Sequence, residues 1–384
     1  MPDAVIVSAA RTPIGRAAKG SLVNARPDDL GAFAIRTAVE KVPQLDPAEI
    51  VDVMVGCGFP EGEQGMNLGR RLALLAGLPH TVAGTTVNRF CASSLQTIRM
   101  AFHAIKAGEG DAFVAAGVES ISRVNQMPRD FSELHPKLLG EIANVYIPMG
   151  MTAENVAERF DVSREEMDRF AVQSQERAVA AQDSGFFDRE ITPYVLDDGT
   201  SVTADDGPRR GTTLEKLAAL KPAFKDDGVV TAGNACPLND GGAAVIVMSE
   251  ERARQLEIKP LARIIASSVS GIEPEIMGVG PIEAIGKALK QAGMSIGDVD
   301  VMELNEAFAA QVIPVCRAVG VDHFSDKLNP HGGAIALGHP YGMTGARIMC
   351  TLLNDLATMD RTIGLETMCV GGGQGMAMIV ERLG

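Results

Sequence analysis

Two cysteines and a histidine stand in this chain in settings suited to nucleophilic and acid–base chemistry on a carbonyl group. Cys91 lies in TTVNRFCASSLQTIRM (85–100), where a β-branched run gives way to small residues and then to an apolar periodicity. That pattern puts it at a strand-to-helix junction, where the first helical N–H groups are unpaired and the helix dipole favours a thiolate. The alternative reading of a free cysteine is a small buried hydrophobe. His339 lies in NPHGGAIALGHPYGMTGARI (329–348), ahead of Pro340, which biases it toward extended backbone. The glycines around it leave more backbone room than a core histidine needs, and His331 in the same loop is its nearest rival. Cys369 ends a strand in MCVGGGQGMAMIVE (368–381), just before Gly371, Gly372 and Gly373. Backbone N–H groups there are free to face a ligand, as an oxyanion hole requires, although a tight hairpin or bulge uses glycines too. Asn305 and Glu306 sit at a strand end in the otherwise apolar MELNEAFAAQ (302–311). Buried polar side chains demand partners, so either could orient a group or hold a water; Glu306 could instead open a helix.

The elements that must position these residues are legible from periodicity. Leu95, Ile98, Phe102 and Ile105 recur at helical spacing after Cys91, so the helix packs one face inward and keeps the thiol at its start. Segments 34–57 and 284–307 each read as amphipathic helix, polar turn and short apolar strand, and both contain Asp-Val-Met. The strand at 111–120 likewise matches that at 364–373, so the chain reads as a duplicated α/β protein with mostly parallel sheets covered by helices. Between the halves the texture changes. A charged helix opens after Ser163 and a polar, turn-rich stretch follows it, which suggests an insertion folded over a site built by the halves. The expected division is 1–119, continued by about 242–260, as the N-terminal half, 120–241 as an inserted loop domain, and 261–384 as the C-terminal half.

Composition narrows the function. With 384 residues, 46% of them hydrophobic and 22% charged, the chain can bury a large core. A formal net charge of -14 with no basic run argues against a nucleic-acid or anionic-membrane surface, so an anionic ligand needs a local basic patch. Cys57, Cys91, Cys236, Cys316, Cys350 and Cys369 form no C-x-x-C pair, which suggests neither zinc nor a disulfide framework and fits a reducing compartment. The opening MPDAVIVSAARTP has no signal-peptide pattern, and no apolar run approaches the roughly 20 residues of a membrane span. A cytoplasmic location is expected.

In order along nearly the whole chain, VSAARTPIGR, VNRFCASS, IPMGMTAENVAERF, LKPAFKDDGVVTAGN, LNDG, NEAF, GGAIALGHP and CVGGGQG resemble the thiolases. That resemblance implies the thiolase fold, a layered α-β-α-β-α core of two α/β halves with an inserted loop domain. It makes Cys91 the acyl-carrying nucleophile, His339 its activator and Cys369 the second acid/base. It gives the backbone N–H groups of Cys91 and Gly371 to one oxyanion, and His339 with a water held by Asn305 to the other. It carries coenzyme A contacts onto Met149, Arg209, Phe224, Cys236, Leu238 and Phe308, with Arg209 as the local positive charge. Without the resemblance, Arg209 reads as a solvated charge beside Asp205 and Asp206. No metal and no permanently bound cofactor are implied; coenzyme A is a co-substrate.

Departures from the family pattern are Ser94 where glycine is common, Cys236 where serine is common, and Tyr341 and Met343 beside His339, which would reshape the acyl pocket. IPMGMTAENVAERF and CPLNDGG look closer to the degradative 3-ketoacyl-CoA thiolases of fatty-acid and related acyl-CoA breakdown. The alternative is a biosynthetic acetoacetyl-CoA thiolase. Decarboxylating 3-ketoacyl synthases share the fold but lack the glycine-flanked second cysteine, and a non-catalytic acyl-CoA carrier would have lost the nucleophile or the histidine. The resemblance further implies a homodimer or homotetramer, with association to other β-oxidation subunits as a possibility.

Overall fold

A computed structural model describes residues 2–124, 134–141 and 144–384; 125–133 and 142–143 of the expected insertion lie outside them. The chain opens with β1 (Ala4–Arg11), β2 (Gly15–Arg16), α1 (Pro27–Glu40), β3 (Asp52–Gly56), α2 (Leu68–Leu75), β4 (Ala83–Val87), α3 (Ser93–Ala107) and β5 (Ala112–Ser120). Then come α4 (Pro136–Glu141), α5 (Met149–Arg159), α6 (Arg164–Asp183), β6 (Tyr194–Val195), β7 (Ser201–Val202) and α7 (Leu214–Ala218). The remainder is β8 (Asn239–Ser249), α8 (Glu250–Gln255), β9 (Ala262–Gly271), α9 (Pro281–Ala292), β10 (Val301–Leu304), α10 (Ala309–Val319), α11 (Ala334–Leu337), α12 (Thr344–Thr358), β11 (Ile363–Val370) and β12 (Gln374–Arg382).

Local chemistry sets several of these ends. The Ser163 hydroxyl accepts from the Glu166 N–H to open α6, and Pro281 sits in the first turn of α9. Gly108 closes α3 in the left-handed region at φ 77°.

The main sheet runs β10-β11-β12-β9-β1-β8-β5-β3-β4, with β2 attached to β8. Among the described strands only β10/β11, β3/β4 and β3/β5 pair in parallel, so the expectation of mostly parallel sheets is corrected to a mixed sheet. Connectivity is the reason. β12 follows β11 through the Gly371–Gly373 turn and must return antiparallel, while β8 arrives from the insertion and runs antiparallel to both β1 and β5. The series β9-β12-β11-β10 repeats the order and directions of β1-β8-β5-β3, as the sequence repeat anticipates.

Three apolar clusters stack across the molecule. The central one joins Leu95, Ile98, Phe102 and Ile105 of α3 to Ile348, Met349, Leu352 and Leu356 of α12, between the two halves of the sheet. An outer cluster places α1 and α2 over the N-terminal strands, and the other places α9 and α10 over the C-terminal strands. The layers are α-β-α-β-α, with α3 and α12 as the shared middle. From the insertion, α5 packs on 274–279 and α6 packs on α10 and α11.

Candidate active site

Cys91 occupies a 3-10 turn, Phe90–Ala92, directly ahead of α3. Phe90 is held at φ 43°, an uncommon conformation for a residue with a side chain, by its N–H donating to Asn88 Oδ1 at 2.8 Å. The Ser93 hydroxyl closes the bend, accepting from the Arg89 N–H at 2.9 Å and donating to the Phe90 carbonyl at 2.7 Å. The resulting thiol faces the backbone N–H groups of Gly371 and of Cys91 itself. Those donors favour a thiolate, yet burial outweighs them and pushes the thiol up to about 11. The expectation of a depressed thiol is thereby corrected: desolvation in the closed site exceeds what the helix start supplies, so ionising Cys91 requires a base.

His339 is the candidate that the sequence offers for that base. Gly338, at φ 113°, brings the chain against Asn239, whose Cγ would lie 2.5 Å from any Cβ there. Asn239 Oδ1 then accepts from the His339 N–H at 2.9 Å, while its Nδ2 donates to the Gly15 carbonyl at 3.0 Å. On the ring, Nδ1 lies 2.6 Å from Thr344 Oγ1, whose own proton goes to the Pro340 carbonyl at 2.8 Å. The Thr344 oxygen must therefore accept, which puts the proton of the neutral imidazole on Nδ1 and leaves Nε2 with a lone pair. Asn305 Nδ2 donates toward that nitrogen at 3.3 Å, and Asn305 Oδ1 is buried without a partner. Burial, reinforced by Arg347, lowers the imidazole to about 3, so it is neutral at physiological pH.

Cys369, at the end of β11, is fully buried, and its thiol is raised by burial and by Cys91. Gln311 in the first turn of α10 donates to its sulfur at 2.8 Å. Neither Thr344, Asn239 nor Gln311 was identified from the sequence. A hydroxyl five residues beyond His339 was the available hint for Thr344; Asn239 lies 100 residues away from His339, and Gln311 58 residues from Cys369.

The expected coenzyme A positions come from the insertion and the turn before α10. Met149 Sδ lies 3.7 Å from where a Cβ on Gly371 would stand. Phe224 is exposed and edge-on to Phe308 at 6.1 Å. The Cys236 N–H donates to the Ala307 carbonyl at 2.9 Å, and its thiol is near enough to Cys369 and Cys91 for the three to oppose one another's ionisation. Leu238 is exposed, and its carbonyl accepts from Ala17 at 2.9 Å. Arg209 makes no ion pair among the described residues: Asp205 is engaged by Arg11 at 2.8 Å, and Asp206 accepts from the backbone of Arg16 and Ser21.

Other candidates serve mainly to hold the surrounding elements together. His331 is stacked on Phe186 at 3.6 Å and bonded to Asp355. Glu306 is a brace: its carboxylate accepts from Ser174, Asn329 and the Ile335 N–H, tying α6 to α11. Ser94 links α3 to α12 by accepting from the Ala346 N–H at 2.9 Å, and Met343 is buried in the central core. Of the departures near His339, only Tyr341 meets the imidazole, edge-on at 4.9 Å. Among the described residues no His, Cys, Asp and Glu group is arranged to hold a metal.

A buried thiol beside two N–H donors, a neutral imidazole unprotonated at Nε2 and a second thiol are groups that can form an acyl-cysteine, stabilise its oxyanion and move a proton at a neighbouring carbon. The thiolase N-terminal domain family matches residues 4–251, and the thiolase C-terminal domain family matches residues 258–382. A β-ketoadipyl-CoA thiolase of Acinetobacter baylyi is 46% identical, with all of both chains aligned. A 3-ketoacyl-CoA thiolase of Bacillus subtilis is 44% identical over 99% of this chain and all of its own. The crystal structure of the Bacillus anthracis acetyl-CoA acetyltransferase superposes with a TM-score of 0.90 at 39% identity, covering 100% of this chain and 99% of that one. The chain belongs to the thiolase family. It is accordingly an acyltransferase that acts on acyl-CoA and takes coenzyme A as a substrate.

Proposed function

We propose that the protein cleaves 3-ketoacyl-CoA with coenzyme A in acyl-CoA degradation, through an acyl group held on Cys91. The reading rests chiefly on the His339 hydrogen bonds, which leave Nε2 unprotonated where a buried, reluctant thiol needs a base. His339 Nε2 takes the Cys91 proton and the sulfur attacks the keto carbon. The alkoxide is met by the N–H groups of Cys91 and Gly371, then collapses with cleavage to the α-carbon. The leaving enolate of acetyl-CoA, its oxygen met by protonated His339 and a water on Asn305, takes the proton of Cys369. The Cys369 thiolate next deprotonates coenzyme A, whose sulfur displaces Cys91 from the acyl carbon, and Cys91 recovers its proton from His339.

Met149, Arg209, Phe224, Cys236, Leu238 and Phe308 supply the coenzyme A surface in this reading. The strand order repeated in the two halves supports the proposed division at 119, 241 and 260. A cytoplasmic homodimer or homotetramer serving fatty-acid or related acyl-CoA breakdown completes it. The degradative direction is supported by relatives named for 3-ketoacyl-CoA and β-ketoadipyl-CoA. Tyr341 against His339 favours a second reading, a pocket closed to all but acetoacetyl-CoA and hence the biosynthetic reaction. Coenzyme A-dependent cleavage of 3-ketoacyl-CoAs of increasing chain length, with Cys91→Ala as the blank, decides between them. Turnover extending past acetoacetyl-CoA is expected; turnover confined to it selects the biosynthetic reading, and no turnover overturns both.

A further inference from the structure

Gln311 is a buried polar side chain in the site that packing does not account for. It is 1% exposed in the first turn of α10, and its Cβ would lie only 2.7 Å from a Cβ placed on Gly278, so the space is already filled. An apolar side chain of similar size would satisfy such a place, because an amide withdrawn from water needs partners at both ends. Here Nε2 donates to Cys369 Sγ at 2.8 Å, and Oε1 has no partner. Among the described residues, the cysteine sulfur is the only group that this buried amide engages.

We propose that Gln311 is a positioning residue for the Cys369 half of the reaction, aiming the sulfur and stabilising it as a thiolate. The need falls in the interval after Cys369 has given its proton to the enolate carbon and before it takes one from coenzyme A. The inference rests on the acid/base role proposed for Cys369. A hydrogen bond to sulfur gains most when the acceptor is charged, so it favours the thiolate over the thiol. The titratable groups that bear on Cys369 are Cys91, from the turn ahead of α3, and Cys236, from the insertion, and an ionised neighbour at either would oppose it. Acylation silences Cys91 during this interval. Gln311, coming from α10 on the other side, contributes a donor that carries no charge and cannot itself titrate.

The test compares Gln311→Leu and Gln311→Glu with the unaltered enzyme, following exchange of the acetyl-CoA methyl protons with deuterated solvent across pH. Iodoacetamide alkylation of Cys91 and Tm are read in parallel. In Gln311→Leu the exchange rate at neutral pH should fall at least about tenfold and its pH midpoint rise by about one unit, the equivalent of that factor. The Cys91 alkylation profile should not move. Gln311→Glu, placing a carboxylate on the sulfur, should shift the midpoint further the same way. An unshifted midpoint in a folded Gln311→Leu overturns the proposal; Gln311→Met decides by the same criterion if the leucine variant does not fold. Exchange absent from the unaltered enzyme while cleavage persists would overturn the Cys369 role, and with it this inference, and would leave the thiolase reading standing.

Discussion

At the scale of single residues, the decisive atom is the Thr344 oxygen. Because its proton is committed to the Pro340 carbonyl, it accepts from His339 Nδ1, and together with the Asn305 Nδ2 donor this selects the tautomer that leaves Nε2 unprotonated, as the proposed transfer from Cys91 requires. Thr344→Val keeps the shape and removes the acceptor, leaving a buried N–H unpaired or the imidazole free to adopt the other tautomer. A lost acceptor of this kind costs about 1–3 kcal/mol, which corresponds to roughly fivefold to 150-fold in rate. The expected outcome is a fall in kcat of that size with little change in KM, and restoration by Thr344→Ser. Full turnover by a folded valine variant would mean that something else fixes the ring. Thr344 was not identified from the sequence because a threonine at a helix start already has an ordinary explanation, and its acceptor role appears only once the Pro340 carbonyl is placed. Cys91 shows the converse: the helix start ahead of α3 is legible in the sequence, but the burial that raises its thiol, and the Gly371 N–H that opposes it from 280 residues away, are set by the tertiary fold.

At the scale of elements, β11 carries two unlike polar residues on its two faces. Cys369 points to the outer layer with Gln311, while Glu366, three residues earlier, points to the middle layer and α12. Both Glu366 oxygens are buried without hydrogen-bond partners, and burial holds the carboxyl well above its ordinary range despite Arg347. A carboxyl raised in the folded state binds its proton more tightly there than in the unfolded chain. Its contribution is fully present below the ordinary carboxylate pKa and is lost as pH rises through the raised value. Glu366→Gln removes that loss. Thermal melts should show near-equal Tm for variant and unaltered protein at pH 5 and a higher Tm for the variant at pH 9; an equal or lower Tm at pH 9 would show that the charge is satisfied in the fold. The elements themselves were largely legible, since the apolar spacing of α3, the Ser163 cap of α6 and the helix–turn–strand repeats are local signals. Strand direction was not, because the antiparallel course of β8 is decided by where a long insertion returns the chain, and no local pattern records that.

At the scale of the whole molecule, a chain of net charge -14 must receive a ligand carrying several phosphate charges. Long-range repulsion and local attraction therefore act against each other, and ionic strength separates them, since the screening length falls from about 30 Å at 0.01 M to about 8 Å at 0.15 M. Arg209 is exposed, free of any ion pair among the described residues, and close enough to Arg16 for the two positive charges to oppose each other. In the proposed coenzyme A surface this pair serves as the local positive patch, in a segment also bonded to the core through the Arg209 N–H and Gln175. Arg209→Gln should raise KM for coenzyme A while leaving kcat within about twofold, the pattern of a lost binding contact that serves ground and transition states alike. The salt response should change sign as well. With the arginine present, added salt weakens the local attraction and kcat/KM for coenzyme A stays level or falls; without it, salt relieves only the overall repulsion and kcat/KM rises. Parallel salt slopes for the two proteins, with equal KM, would remove Arg209 from the coenzyme A surface and leave the phosphates to other cations.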